Sequence, residues 1–300
     1  MSTKEETKMI KKKRIFTALC IFFAASIVTG CSLANSQDSN KKDNTSNTEK
    51  TLSQALFGEQ NADIIDAITI QAEQTKQYGD YEFTLDSYIY DEKTKTGYVK
   101  MEIKNDKFDG KSEIVNTGLL DFGENMELEL RLGKDEAHLA AAYSEKHEQT
   151  LSLYYQIKDL DGTILIWDEV ENICVAEFEL ENTCNLHKEA ESAEESGMQI
   201  IISPTTIYIQ KDNDTGIVAE TDEADGEERA KELKEKEEIQ SVEVVYTDGK
   251  RDVIVGEGAT SRVSIRSDEN NIIKKVLGKT VIDVENLESV IIDGTEYRID

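Results

Sequence analysis

The hydrophobic positions from about residue 78 onward alternate with polar ones in short runs, the period of β-strands with one buried face. Met126 to Leu132 is the cleanest of these runs, with Met and Leu at every second position between Glu and Arg. Tyr81–Asp91 and Tyr98–Ile103 alternate in the same way on either side of a polar turn, which predicts a hairpin. The runs recur at regular spacing without long amphipathic helices between them. The pattern therefore predicts a mostly β fold made of antiparallel sandwiches.

Turn residues join several of these runs into further predicted hairpins. Leu151–Ile157 and Val290–Ile292 are each followed by an Asp-Gly pair, which favours tight turns between antiparallel strands. A second short run follows each pair, so we expect a hairpin at both places. The only proline, Pro204, cannot donate to a strand ladder and predicts a strand end or an edge.

Two segments have helical spacing instead. Apolar residues between Leu52 and Ile68 recur at helix-like intervals, interrupted by Gly58, and predict one or two short helices ahead of the first strand. Asp222 to Glu238 is dominated by opposite charges four residues apart, which is typical of a solvated helix. We interpret this second segment as a charged helical insertion between strands.

A polar, acid-rich segment, His187 to Gly197, divides the strand-rich part of the chain in two. The predicted fold class is thus mostly β, with two antiparallel β-sandwich domains over residues 51–190 and 191–300. The first domain carries the short N-terminal helical segment, and the second carries the charged helical insertion.

The N-terminal residues have the layout of a secretory signal peptide. A basic cluster ending at Arg14 precedes the apolar run Ile15 to Val28, which is too short to span a bilayer stably as a helix. Small residues follow the run. We therefore expect residues 1–30 to act as a sorting signal and to form no part of the fold.

Val28-Thr29-Gly30-Cys31 resembles the lipobox of bacterial lipoproteins. The resemblance implies cleavage between Gly30 and Cys31 and attachment of diacylglycerol to the Cys31 thiol. It places the protein at the cell membrane, lipid-anchored on the extracytoplasmic face, with residues 31–50 as a flexible polar tether. An ordinary signal peptide with a coincidental cysteine is the alternative.

The charge of the chain limits its partners. With 62 acidic and 34 basic residues the formal net charge is −28, which repels phosphate backbones and anionic lipid headgroups. We therefore expect no nucleic-acid partner. Contact with the membrane is expected through the lipid on Cys31.

Two cysteines remain once Cys20 leaves with the signal peptide and Cys31 is lipidated. Cys174 and Cys184 form a candidate disulfide in an oxidising compartment, provided that the chain reverses between Glu179 and Thr183. The alternative is two unreactive thiols. Because there is no Cys-x-x-Cys spacing, neither a redox nor a zinc role is expected.

Metal and catalytic motifs are sparse. Asp212-Asn213-Asp214-Thr215-Gly216 begins like a calcium loop, which makes Asp212 and Asp214 candidate metal ligands, with a simple turn as the alternative. The three histidines, His138, His147 and His187, are not paired at metal-binding spacing, so surface positions are expected for them. No cofactor is expected.

Two pairs of strand signatures resemble a known class of protein. Tyr81–Asp91 with Tyr98–Ile103 looks like the start of the extracytoplasmic β-domain in anti-sigma-factor-like membrane proteins of Gram-positive bacteria. Ile202–Tyr208 and Leu287–Gly294 are similar to landmarks of the second β-domain that often follows. The resemblance covers roughly residues 64–300 and implies tandem immunoglobulin-like sandwiches of uncharacterised function. Unlike that class, this chain is expected to have a lipid anchor in place of an internal membrane span.

The motif pattern favours binding over catalysis. The chain has no Gly-x-Ser-x-Gly or P-loop spacing. We expect a non-catalytic binding or sensing protein of the cell envelope, with an envelope protein or wall polymer as partner at the edge strands and loops. The alternatives are a wall-associated hydrolase with two catalytic carboxylates and a structural envelope spacer.

Overall fold

A computed structural model of the chain describes the fold from residue 50 onward, and these residues belong to one compact unit. The predicted signal peptide, the lipidation site at Cys31 and the tether lie outside the described residues. Within the described part, no helix is both long enough and apolar enough to cross a membrane. The structure describes residues 50–105, 119–121, 127–132, 138–147, 149–168, 171–190, 197–220 and 227–299, with only the backbone described between 119 and 147.

The N-terminal helical segment, residues 51–68, lies where the apolar spacing predicts it. It consists of α1 (Leu52–Leu56), a 3₁₀ turn and α2 (Ala62–Ile68). Thr51 and Gln54 cap α1 reciprocally, each side chain accepting a hydrogen bond from the backbone N–H of the other. Gly58 then separates the helices with a left-handed φ of 86°, a conformation that favours glycine.

The first half of the fold contains two antiparallel sheets. One has the strand order β1-β2-β3-β7-β6, and the other has the order β4-β5-β8-β9. Their buried apolar side chains form one hydrophobic cluster drawn from residues 83–180. The strands are β1 (Ile70–Tyr78), β2 (Tyr81–Asp91), β3 (Thr96–Lys104), β4 (Leu119–Asp121), β5 (Glu127–Leu132), β6 (His138–His147), β7 (Thr150–Lys158), β8 (Thr163–Asp168) and β9 (Ile173–Glu179).

The predicted hairpin between β7 and β8 is wrong. Both strands form, but β7 pairs with β3 and β6, whereas β8 pairs with β5 and β9 in the other sheet. The reason lies in the connection, where Leu160 is fully buried in the core between the sheets. Asp159 on one side of it and Gly162 on the other have positive φ angles of 59° and 88°. The chain therefore crosses from one sheet to the other at this point.

The second half also contains two antiparallel sheets, with strand orders β10-β11-β12-β17-β16-β13 and β15-β14-β18-β19. Its main hydrophobic cluster is drawn from residues 190–297. The elements are β10 (Lys188–Glu189), β11 (Met198–Ile202), β12 (Thr206–Asp212), β13 (Ala219–Glu220), α3 (Glu227–Glu237), β14 (Val242–Tyr246), β15 (Arg251–Val255), β16 (Arg262–Ser267), β17 (Asn271–Leu277), β18 (Leu287–Ile292) and β19 (Thr295–Arg298).

The predicted C-terminal hairpin is present. β18 pairs with β19 from Ile292 opposite Thr295, which leaves Asp293 and Gly294 as the two turn residues. Their φ angles are 47° and 83°, both in the left-handed region that a tight turn of this kind requires.

The charged helix α3 contacts the sheet through a narrow apolar stripe. Leu233 is fully buried and packs with Ile217, Ile265 and Ile272. Its solvent face carries i,i+4 ion pairs such as Lys236 with Glu232 at 3.0 Å, and Glu237 at its end is buried against Lys211 and Lys274. This matches the predicted solvated helix over its described part, residues 227–237.

The two halves meet at a surface that is partly apolar and partly ionic. The Tyr98 hydroxyl, fully buried, donates to the Thr205 carbonyl at 3.0 Å. Phe57 of the N-terminal helical segment packs in one cluster with Tyr98 and with Val281 of the second half.

The fold is mostly β, with several antiparallel sheets and few helices. The predicted domain boundary near residue 190 stays a prediction.

Candidate functional site

A cleft of about 1010 Å³ opens between the N-terminal helical segment and the loops of the second half. One wall comes from residues 54–64, around the turn that joins α1 to α2. The other wall comes from the β14–β15 turn and from the segments before β16 and after β17. The cleft is therefore built by parts of the chain that are far apart in sequence.

The walls of the cleft are held at a fixed spacing. The Asn61 side-chain amide donates to the Phe57 carbonyl at 3.0 Å and to the Lys279 carbonyl at 3.1 Å, which ties one wall to the other. Below this link, Phe57 and Val281 pack in the same buried cluster. The cleft is consequently preformed.

The lining groups are mostly polar. Lys250 and Lys279 are exposed cations, and the Lys250 ammonium lies 5.4 Å from the centre of the Tyr246 ring. Burial, followed by the nearby charge of Asp252, raises the pKa of Tyr246, so its phenol stays protonated at neutral pH. Amides, hydroxyls and carboxylates complete the lining, which suits a ligand rich in hydrogen-bonding groups. These further side chains are Gln54, Gln60, Asn61, Thr247, Asp248, Thr260, Thr280, Asp283 and Asn286.

A second group of candidate side chains lies where the connector, residues 180–187, leaves the first half. The Thr183 N–H donates to the Tyr90 carbonyl at 2.8 Å, and the Asn182 side chain accepts from the Glu92 N–H at 3.1 Å. These bonds hold the connector against the end of β2. Cys184 and His187 are thereby brought close to Asp91, the last residue of that strand.

Asp91 is 1% exposed and has an asymmetric set of contacts. Its Oδ1 accepts hydrogen bonds from the Lys93 and Thr94 N–H groups at 3.0 and 3.2 Å and lies 2.9 Å from His187 Nε2. Its Oδ2 is buried and has no hydrogen-bond partner. Cys184 is fully buried beside it, and one ligating atom from each of the three residues lies within 4.8 Å of the other two.

The environment shifts the pKa values of Asp91 and Cys184 in opposite directions. Burial alone would raise the pKa of Asp91, but hydrogen bonds from His187 and Thr94 hold it below its ordinary value. Burial, and then the Asp91 charge, raises the pKa of the Cys184 thiol to about 12. Cys184 is therefore a neutral thiol in this structure, unlike the low-pKa cysteines that act as nucleophiles.

The candidate disulfide is not formed in the structure. Cys174 and Cys184 are both thiols, the first exposed on β9 and the second buried in the connector. The chain stays extended along β9 to Glu179, and the connector then runs beside β2 and does not turn back towards Cys174. The reversal that a disulfide would need does not occur.

The loop with the candidate calcium ligands is organised as a turn. Asn213 Oδ1 accepts from the Thr215 and Gly216 N–H groups, both at 3.1 Å, as in an Asx-turn. The Asp214 side chain is 76% exposed and lies 3.7 Å from the Lys211 ammonium. Among the described residues, neither Asp212 nor Asp214 belongs to a group of three metal-ligating side chains.

The surface position expected for the histidines is wrong for His187. Its side chain is 12% exposed, because the connector turns it towards Asp91. His138 and His147 begin and end β6, where the side chains are not among those described. Sequence reasoning missed the grouping, although the Cys184-x-x-His187 spacing was a usable signal for it.

Comparisons with known proteins leave the family of this chain open. No family model matches it, and no curated protein matches it. One solved structure, the crystal structure of the conserved domain protein from Bacillus anthracis, is similar at a TM-score of 0.37 and 10% identity, over 79% of each chain.

Proposed function

We propose that this protein is a non-catalytic binding or sensing protein of the cell envelope, anchored through diacylglycerol on Cys31 and built from two immunoglobulin-like β-sandwich domains. The signal-peptide layout and the lipobox-like Val28–Cys31 support the anchor. Two antiparallel sheets in each half, each half with its own hydrophobic cluster, support the two sandwiches.

The observation that carries the proposal is the preformed polar cleft. Binding sites are concave and place a few polar groups at fixed positions, and the Asn61 link between the walls supplies that rigidity. Both signs of charge occur along the lining, with Lys250 and Lys279 facing a ligand together with Asp248 and Asp283.

A wall polymer is the ligand that this lining favours. Sugars and short peptides of the wall offer hydroxyl, amide and charged groups in close succession, which the amide, hydroxyl and charged side chains of the cleft can pair. The negative net charge of the whole chain limits non-specific attraction to anionic surfaces, so recognition rests on the local cleft chemistry.

The test is a thermal-shift titration of the full-length protein with soluble wall fragments. Ligand at 100 times its dissociation constant should stabilise the protein by about 2.7 kcal/mol. The double variant Lys250→Ala/Lys279→Ala should lose most of the shift. The matched control, Lys231→Ala/Lys234→Ala, removes two exposed lysines from α3, outside the cleft, and should keep it.

Equal shifts in both double variants would place the ligand elsewhere and overturn the assignment of the cleft. No shift with any fragment would contradict a wall-polymer ligand. Release of cleaved polymer by the wild-type protein would support the hydrolase alternative instead, with a pair of the cleft aspartates Asp248, Asp252 and Asp283 as its carboxylates.

A further inference from the structure

We infer that Asp91, Cys184 and His187 form a binding site for one zinc-type divalent metal ion, with a fourth coordination position left for water or another ligand. The inference concerns the junction between β2 and the connector, and it does not depend on the cleft or its ligand.

The donor set is the first argument. A thiolate, an imidazole and a carboxylate are the three ligand types that Zn²⁺ prefers, with bond lengths of about 2.0–2.3 Å, so that ligating atoms of a tetrahedral site lie about 3.3–3.6 Å apart. The three atoms here lie within 4.8 Å of one another without an ion. These separations exceed the tetrahedral spacing by at most about 1.5 Å, which Cys184 and His187 would close on binding an ion.

The buried Asp91 Oδ2 is the second, independent argument. A polar atom that is buried without a partner is costly, and an ionised oxygen more so. Oδ1 already accepts from two backbone N–H groups, which fix the carboxylate in place. A metal ion would give Oδ2 the partner that the described residues do not supply.

Metal binding changes the protonation of Cys184 and His187. The Cys184 thiol loses its proton to solvent as the metal–sulfur bond forms. A neutral His187 moves its single proton from Nε2, where it faces Asp91, to Nδ1, so that Nε2 is left with a lone pair for the metal. One proton is released for each ion bound. The small exposed fraction of His187 provides the side from which an ion enters.

A cysteine nucleophile with His187 as base and Asp91 as orienting group is the competing interpretation. It fails on access, because Cys184 is 0% exposed and no substrate carbonyl could reach its sulfur. A metal ion needs far less room than a substrate. The burial that keeps a substrate away from the sulfur therefore does not keep out a metal ion.

The ligands come from two segments that the site would join. Asp91 ends a strand of the first half, whereas Cys184 and His187 lie on the connector that enters the second half at β10. Beyond the site, Lys93 and Glu189 form an exposed ion pair between the same two segments. An occupied site would fasten the connector to β2.

The test is titration of the full-length protein with Co²⁺, which reports a thiolate ligand through a charge-transfer band, followed by displacement with Zn²⁺. We expect one ion per chain and a thiolate band that Cys184→Ala abolishes. The matched control Cys174→Ala removes an exposed cysteine and should leave the band unchanged. Cys20 and Cys31 are present in every variant, so they do not contribute to the difference.

Asp91→Asn provides a second readout if Cys184→Ala does not fold. It keeps the shape of the side chain and should weaken Co²⁺ binding by about 10–100-fold or more, since even outer-shell partners contribute that much. A thiolate band of undiminished intensity in Cys184→Ala, or an affinity unchanged in Asp91→Asn, would overturn the site.

Discussion

Asp91 and Asp159 are both buried aspartates, but the groups that surround their carboxylates differ. Each lies at or just after the end of a strand, β2 for Asp91 and β7 for Asp159, and each is close to the junction between the halves. Asp159 has cations from the chain itself, whereas Asp91 has His187 and an oxygen without a partner. Asp159 is thus neutralised by side chains of the fold, whereas Asp91 has an oxygen at which a ligand could bind.

The surroundings of Asp159 form a complete ionic cluster. Lys275, 4% exposed, lies 2.7 Å from Oδ1, and Arg266 lies 3.7 Å from Oδ2. Burial would raise the pKa of Asp159, but the Lys275 charge and hydrogen bond, with Arg266, hold it below its ordinary value. Beside this cluster, the buried Lys158 ammonium donates to Ser264 at 3.1 Å.

The largest effect on stability is expected for Asp159→Ala. Removing one partner leaves Lys275 buried without its counter-charge, which should lower the free energy of unfolding by about 3–5 kcal/mol. Urea unfolding at neutral pH measures it. Asp214→Ala, which removes an exposed carboxylate 3.7 Å from Lys211, is the matched control and should cost less than about 1 kcal/mol. Similar losses in the two variants would show that the Asp159 cluster contributes no more than a surface pair.

A smaller effect is expected on the acid side of the stability curve. Because the folded-state pKa of Asp159 is below 3.8, its contribution is fully present above that pH and is lost as the pH falls through the folded-state pKa. Asp159→Asn should therefore show a shallower fall in stability below about pH 4 than the wild type, whatever its stability at pH 7. Urea midpoints from pH 7 to pH 2 measure the two slopes, and equal slopes would contradict the ionic role of Asp159.

The smallest effect is expected at the other aspartate. In the presence of a chelator, Asp91→Asn should lower the free energy of unfolding by about 1–2 kcal/mol, less than Asp159→Ala, because asparagine keeps an acceptor for the Lys93 and Thr94 N–H groups and leaves no buried cation unpaired. Urea unfolding in EDTA measures the change. A loss as large as that of Asp159→Ala would make Asp91 a structural counter-charge and would remove the difference between the two sites.

Local pattern predicted the elements whose partners are near in sequence. Neighbouring residues determine the period-two runs at β2 and β3 and the Asp293-Gly294 turn. Strand β17 (Asn271–Leu277) was not predicted, because Lys274 and Lys275 interrupt its apolar run. Lys275 is nevertheless buried, since Asp159, distant in sequence, compensates its charge.

The same limit applies to the candidate site. Cys184 and His187 are close enough in sequence to be noticed as a pair, but Asp91 joins them only because the connector lies along the end of β2. In the same way, the partner of β8 depends on the burial of Leu160, which no alternation of polar and apolar residues reveals. Periodicity identifies the buried face of a strand and does not identify the element that covers it.

The attachment of the N-terminal helical segment determines how the fold would respond to mechanical tension. A pull on the chain ahead of Lys50 would first load the hydrogen bond from the Tyr154 hydroxyl to the Lys50 carbonyl, 2.8 Å long, and then the buried side chains of Leu52 and Phe57. Phe57 also supports the floor of the cleft together with Val281. Traction would therefore act on the support of the cleft, so that stretching and ligand retention would oppose each other.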